Sequence, residues 1–240
     1  MVGGRVQTVR VDTPDALAHA LAAFARDLQR QPQHQAVLRT IVAAALRTVP
    51  GAQEGSVTLV VGRRKVLAQA ASDRLPLDVD ALQEEVGEGP CLETAWEQHT
   101  VLVPDMASEQ RWPRFSARAA LLGVRSMLAF QLYVDGDNLG ALNLYSRRAD
   151  AFDDRSVVVG ELFAAHAAVA YAAAQRESAL ERALVSRELV GQAQGILMER
   201  SRVTADQAFA ELQRTSQDRN LKLAEVARRL VETGDLPATG

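Results

Sequence analysis

The stretch SMLAFQLYVDGDNLGALNLY, Ser126–Tyr145, decides the fold class. Leu128, Phe130, Leu132 and Val134 alternate with Ala129, Gln131 and Tyr133, the period-2 pattern of a half-buried strand. Asp135-Gly136-Asp137-Asn138 has the composition of a turn that reverses such a strand, and Leu139–Tyr145 returns it. The spacing predicts an antiparallel hairpin, and the sheet extends outward from it. Ser56–Val61 and Val66–Ala71 are aliphatic runs joined by the polar turn Gly62-Arg63-Arg64, a second hairpin. Thr100–Val103 reads as a short strand ended by Pro104-Asp105.

Helical patterns flank these strands. Thr13 is placed to cap a helix with Pro14 at its first position, and Leu17, Leu21, Phe24 and Leu28 form one stripe. Gln31-Pro32 breaks it. Val37, Leu38, Ile41, Val42, Ala45 and Leu46 make the next helix face, stopped by Pro50-Gly51. Arg114–Leu122 reads as a helix, while Leu82–Glu97 is mixed, punctuated by Gly87-Glu88-Gly89-Pro90-Cys91. Helices around an antiparallel sheet make an α+β domain.

From Asp153 or Asp154 a long helix is expected. Val158, Leu162, Val169, Ala173, Leu180, Ala183, Val190 and Leu197 recur along it as on a coiled-coil connector or dimer stalk, although Arg176 and Arg187 fall on the seam. Behind it Thr204-Ala205-Asp206-Gln207 fits a capping box, with Ala205, Ala208, Phe209 and Leu212 as an apolar face and Phe209 expected in the core. Asn220 is expected to cap a last helix that bears Leu223, Val226, Ala227, Leu230 and Val231 and ends at Gly234. Gly191 and Gly195 lie inside the long helix, where each costs ~1 kcal/mol relative to alanine. For Gly195 the favoured reading is close packing of the helices that follow. The expected organisation is a flexible tail over 1–12, an α+β domain over 13–175 and a small three-helix bundle over 176–240.

Composition narrows the function. Of 240 residues, 48% are hydrophobic and 24% charged, the balance of a globular protein. The formal net charge of −3 gives no global basic field, so contact with nucleic acid must come from a local patch. Cys91 is the single cysteine, which excludes an intramolecular disulfide and fits a reducing compartment. It reads as a small buried hydrophobe rather than a redox thiol or ligand contact. No signal-peptide core is visible and no stretch approaches the ~18 uninterrupted apolar residues of a membrane span, so a cytoplasmic protein is expected. His19, His34, His99 and His166 lie far apart and suggest no metal site. Asp105, Asp135 and Asp137 fit turns. Gly87-x-Gly89 leads into Pro90 rather than a phosphate loop. No nucleophile–base pair is visible, so no catalytic residue is assigned and an enzyme is not expected. The sequence does not identify a cofactor.

Three stretches of the tail resemble the ANTAR domain, a helical module of transcription antitermination regulators. They are Arg187-Glu-Leu-Val-Gly191-Gln-Ala193-Gln194-Gly195-Ile-Leu-Met198, Ala208-Phe209-Ala-Glu-Leu212-Gln-Arg214-Thr-Ser216, and Asn220-Leu-Lys222-Leu223-Ala-Glu-Val-Ala227. One departure is Gln194, where family members often carry lysine. The front half is similar to a GAF domain, a small-ligand sensor with a central antiparallel sheet. Gly87–Cys91, Pro104-Asp105, Arg111-Trp112-Pro113 and the hairpin 126–145 with Leu139-Gly140-Ala-Leu-Asn143 carry that likeness. The pairing is of an actinobacterial type.

The resemblance implies a homodimer that holds RNA stem-loops of a nascent transcript, a GAF-type sensor with a small-molecule ligand, and no chemical step. Candidate phosphate contacts are Arg200, Arg202, Arg214, Arg219, Lys222, Arg228 and Arg229. Interleaved acids at Glu199, Asp206, Glu211, Asp218 and Glu225 favour, on charge alone, an ordinary solvated surface. The corner from Arg214 to Lys222 gathers guanidiniums, an amine, a hydroxyl and an amide, as recognition of RNA loops requires. The expected RNA-binding residues are therefore Arg214, Ser216, Arg219, Asn220 and Lys222, with Gln194 and Met198 on the adjacent helix. A DNA-binding regulator and a protein-interaction module stay open as alternatives.

Overall fold

Alternating apolar side chains give the central hairpin two different faces, and helices cover both. The computed structural model describes residues 13–31, 34–61, 65–97, 100–134 and 137–236. The tail 1–12, the turn Gly62-Arg63-Arg64, Pro32, His99 and Asp135-Gly136 lie outside the described residues. The chain divides into two compact units, Met1–Gln175 and Arg176–Gly240.

In the first unit, β1 (Glu54–Val61), β2 (Lys65–Ala71), β3 (Val101–Val103), β4 (Ser126–Val134) and β5 (Asp137–Ser146) form one sheet in the order β2-β1-β5-β4-β3. Every neighbouring pair is antiparallel. Val57, Leu128, Phe130, Leu132, Leu142 and Leu144 face a core closed by α1 (Pro14–Gln29), α2 (His34–Thr48) and the start of α6 (Asp154–Ser201). Phe24 and Phe163 pack there with ring centroids 4.1 Å apart. Gly160 lets α6 approach, since a Cβ there would lie 2.0 Å from the Phe130 ring. Met127, Ala129 and Tyr145 face the other way, against α3 (Arg74–Val86) and α5 (Pro113–Leu121). A smaller group of Val60, Val66, Cys91, Leu92 and Ala141 joins that side of the sheet to α4 (Pro90–Glu97).

Side-chain caps set the starts of α1 and α6. Thr13 Oγ1 accepts from the Ala16 N–H with Pro14 opening α1, and Asp153 accepts from the Ser156 N–H at the start of α6. The mixed stretch 82–97 is a correction: it holds the end of α3 and all of α4, too short for a clear helical period, separated by the glycine-rich turn. One 18-residue window of α6 has a mean hydropathy of 1.6, and 44% of it is buried. Val159, Phe163, Ala164, Ala167, Ala168 and Tyr171 supply that burial against the sheet. Those residues are not the expected coiled-coil seam. Val158, Leu162 and Val169 point away and are 42–64% exposed.

In the second unit the end of α6, α7 (Ala205–Arg219) and α8 (Leu223–Thr233) close on Ala193, Leu197, Ala208, Leu212, Val226, Ala227 and Leu230. The Thr204–Gln207 capping box is present. The Arg200 guanidinium donates to the Gly234 carbonyl and so ties the end of α6 to the end of α8. Three expectations are corrected. Phe209 is half-buried and outside the core cluster, because Ala208 and Leu212 take the inward positions. Asn220 ends α7 in the left-handed conformation (φ 52°) rather than capping α8, whose N-cap is Lys222. Gly195 packs under no helix: a Cβ at Gly191 or Gly195 would meet nothing within 4 Å.

Candidate functional site

Two places carry chemistry: the α7–α8 corner of the tail, and a buried polar patch under the sheet. The corner is built by backbone geometry. Asn220 in the left-handed region turns the chain, a conformation asparagine tolerates better than most residues. Its N–H returns to the Gln217 and Ser216 carbonyls. The Leu221 N–H donates to the Ser216 carbonyl at 3.0 Å, and Ser216 Oγ donates to the Leu221 carbonyl at 2.6 Å. Ser216 therefore braces the corner with its hydroxyl already engaged. Arg214, Asn220 and Lys222 stand exposed around it, and Arg219 is half-buried and engaged.

The expected residues do not form one cluster. Gln194 donates to the Ala205 carbonyl at 3.1 Å, at the opposite end of α7 from the corner. About 16 Å of helix separates Ala205 from Ser216 at the usual rise per residue. Met198, one turn on from Gln194, is exposed. Ten basic and ten acidic side chains share residues 176–240, and Arg228 is paired with Glu225 at 2.6 Å. Affinity for a polyanion must come from local arrangement here, since the unit carries no net positive charge.

The second place escaped the sequence reading. Strand alternation puts Ser56 and Thr58 of β1 on the same sheet face as Asn143 and Tyr145 of β5, with Ser56 directly opposite Asn143 in register. Asp80 and Gln83 of α3 and Thr94 of α4 cover them, and all seven are 0–1% exposed. Hydrogen bonds join some of them. Tyr145 donates to Asp80 Oδ1 at 3.0 Å, Asn143 Nδ2 donates to Thr58 Oγ1 at 3.1 Å, and Thr58 Oγ1 meets Cys91 Sγ at 2.9 Å.

The Gly87–Cys91 motif is the scaffold of this patch. Gly87 ends α3 in the left-handed region. Glu88 Oε1 accepts the Arg114 and Phe115 N–H groups at 2.6 and 3.1 Å and thereby caps α5. Gly89 has φ +145°, and a side chain there would sit 2.5 Å from Gln83 Oε1. Pro90 opens α4, and the Cys91 N–H donates to Gln83 Oε1 at 2.8 Å. The motif thus holds one end of the Gln83 carboxamide and orients the other.

Among the described residues, Ser56 Oγ, Asp80 Oδ2, Gln83 Nε2, Thr94 Oγ1 and Asn143 Oδ1 are buried without a hydrogen-bond partner. Each such atom costs ~1–3 kcal/mol, and a native fold accepts few without a reason. Burial raises the Asp80 carboxyl to about 7, opposed by the neighbouring Ser56 and Tyr145 hydroxyls. Burial first, then the Asp80 charge, pushes the Cys91 thiol up to about 12. The thiolate is absent at neutral pH, which makes Cys91 a poor nucleophile. The patch can bind and orient; it shows no activated nucleophile. Its only sequence signal was polar residues at inward strand positions, at Ser56, Thr58 and Asn143.

Residues 32–172 match the GAF domain model, and residues 178–231 match the ANTAR domain model. No curated protein matches the chain. A free methionine-R-sulfoxide reductase from Neisseria meningitidis, solved with its substrate, is similar at 18% identity and a TM-score of 0.54 over 68% of this chain and 92% of that one. The GAF domain of an Acinetobacter phosphoenolpyruvate-protein phosphotransferase gives 14% and 0.52 over 69% and 99%. The chromophore-binding domain of an R. palustris bacteriophytochrome gives 10% and 0.52 over 68% of this chain, which spans 64% of that domain. At these identities the likeness is one of fold alone.

Proposed function

The chain belongs to the GAF domain family and continues into an ANTAR domain, and on that premise we propose that it is a signal-responsive, RNA-binding transcription antiterminator. A GAF sensor joined to an ANTAR module makes a regulator of antitermination, and neither module is a catalytic one. In this reading residues 13–175 sense and residues 176–240 bind RNA, a division supported by the two compact units.

The braced α7–α8 corner carries the RNA assignment. Arg214, Asn220 and Lys222 are exposed around a turn already fixed by Ser216, so little ordering entropy opposes binding. Arg219 flanks them. Gln194 and Met198 form a second contact at the far end of α7. The partner is a stem-loop RNA of a nascent transcript, which places the protein in the cytoplasm. On α8, the exposed Glu225 pairs with Arg228, a poor face for reading a DNA groove.

The protein acts as a homodimer through α6, a reading supported by exposed apolar residues on that helix in each unit taken by itself: Val158, Leu162 and Val169 in the first, Leu180 and Leu184 in the second. The sensor's small-molecule ligand occupies the buried polar patch of Ser56, Asp80, Gln83, Thr94 and Asn143, whose unpartnered atoms support that placement.

The test is a titration of the full chain with an RNA of two small stem-loops, with duplex DNA as competitor and salt as the variable. Selective RNA binding is expected, lost in a folded Arg214→Ala/Lys222→Ala double variant. Unchanged affinity in that variant removes the corner from the interface. Equal competition by duplex DNA turns the reading to a DNA regulator, and no binding at all turns it to a protein-interaction module.

A further inference from the structure

The five unpartnered atoms under the sheet differ in what they can accept or give. Asp80 Oδ2 and Asn143 Oδ1 can only accept while Asp80 is ionised, because Asn143 uses its amide nitrogen on Thr58 and Asp80 its other oxygen on Tyr145. Gln83 Nε2 can only donate, its oxygen being held by the Cys91 N–H. Ser56 and Thr94 hydroxyls can do either. The patch is continuous: Asn143 and Tyr145 are adjacent same-face positions of β5, Ser56 lies opposite Asn143, and Thr58 links Asn143 to Cys91 beside Gln83. No lysine, arginine or histidine is among the buried polar residues described, and Asp80 is the one acid there.

Resting on the reading of this patch as the sensor's ligand site, we propose that it takes a small neutral or cationic molecule with an amide, amidine or ureide edge, and excludes anions. Two N–H groups of such an edge satisfy Asp80 Oδ2 and Asn143 Oδ1, while a carbonyl or imine nitrogen accepts from Gln83 Nε2. A carboxylate or phosphate brings only acceptors. It would leave both acceptor atoms unmatched and place its charge beside Asp80 with no buried cation to offset it. The specificity thus lies in the pattern of donors and acceptors, set by which end of each side chain the fold has already engaged.

Acetamide, acetamidinium and acetate have nearly one size and differ in donors and charge, so they separate the alternatives. Each is titrated into the full 15N-labelled chain at pH 8.5, where Asp80 is ionised and acetamidinium keeps its charge, while the side-chain amide signals of Gln83 and Asn143 are followed. Acetamide and acetamidinium should move those signals saturably, and acetate should not. Asp80→Asn, which is nearly isosteric, should weaken acetamidinium about tenfold relative to acetamide, since it removes a charge-assisted hydrogen bond. Saturable binding of acetate as strong as that of acetamidinium overturns the ligand class and leaves the ligand site standing. If none of the three moves either signal saturably in the folded protein, the patch is a structural, water-filled one and both readings fall.

Discussion

The Tyr145 phenol donates to the Asp80 carboxylate at 3.0 Å, and both residues are removed from solvent. The pair joins the middle of the sheet to α3. It sets one acid in surroundings that favour its neutral form, and burial dominates over the two hydroxyls that oppose it.

Stability of the sensor unit should therefore fall as pH rises. Asp80 titrates near 7 in the fold against an ordinary value of 3.8, so the folded state holds the proton that the unfolded chain releases. Its contribution is fully present below the ordinary value, declines through the interval and is gone above about 7. The span corresponds to roughly 4 kcal/mol. Asp80→Asn should flatten that slope and unfold at higher denaturant than the native chain at pH 8. A native slope retained in the variant would assign the pH dependence to other groups.

Gly160→Ala should destabilise the sensor even though alanine is the better helix former. The propensity gain is ~1 kcal/mol, whereas a Cβ 2.0 Å from the Phe130 ring forces α6 or the ring to move at a cost of ~1–3 kcal/mol. Thermal melts of the single variant and of Gly160→Ala with Phe130→Leu check this, the second change restoring part of the loss.

Gly191→Ala and Gly195→Ala should do the opposite. Both positions are exposed and helical, and an added methyl meets nothing, so each should stabilise by ~0.5–1 kcal/mol. Helix content and melting of the pair report it. Destabilisation would mean that something in solution, RNA or a second chain, packs on these two positions.

Within the corner, Lys222→Ala and Ser216→Ala should weaken RNA binding in distinguishable ways. Loss of a phosphate contact lowers the salt dependence by about one unit of slope. Loss of the Ser216 brace to the Leu221 carbonyl should weaken binding at every salt concentration with the slope retained. Titrations at several salt concentrations separate the two, and equal slopes for both variants would remove Lys222 from the phosphate contacts.

What was legible in the sequence is what is local. The Thr204–Gln207 box, the Thr13-Pro14 start and the 126–145 hairpin each lie within a few residues, and all three are present. Asn220 was misplaced because asparagine serves both as an N-cap and in the left-handed turn that ends a helix; only the backbone distinguishes them. The buried polar patch was invisible for a different reason. Ser56, Asp80, Thr94 and Asn143 sit on four separate elements, and antiparallel register alone makes Ser56 and Asn143 neighbours. The Gly87–Cys91 motif did stand out, but its target, Gln83, lies inside α3 with no signal of its own.

Cys91 gives the molecule a built-in clock. It is the single thiol of the chain, 0% exposed and held protonated at neutral pH. A thiol reagent can reach it only when α4 parts from β1, where Thr58 holds the sulfur. The rate at which the native chain is labelled therefore counts those partings, with no probe introduced. Whatever bridges the strands to α3 and α4 will slow that count.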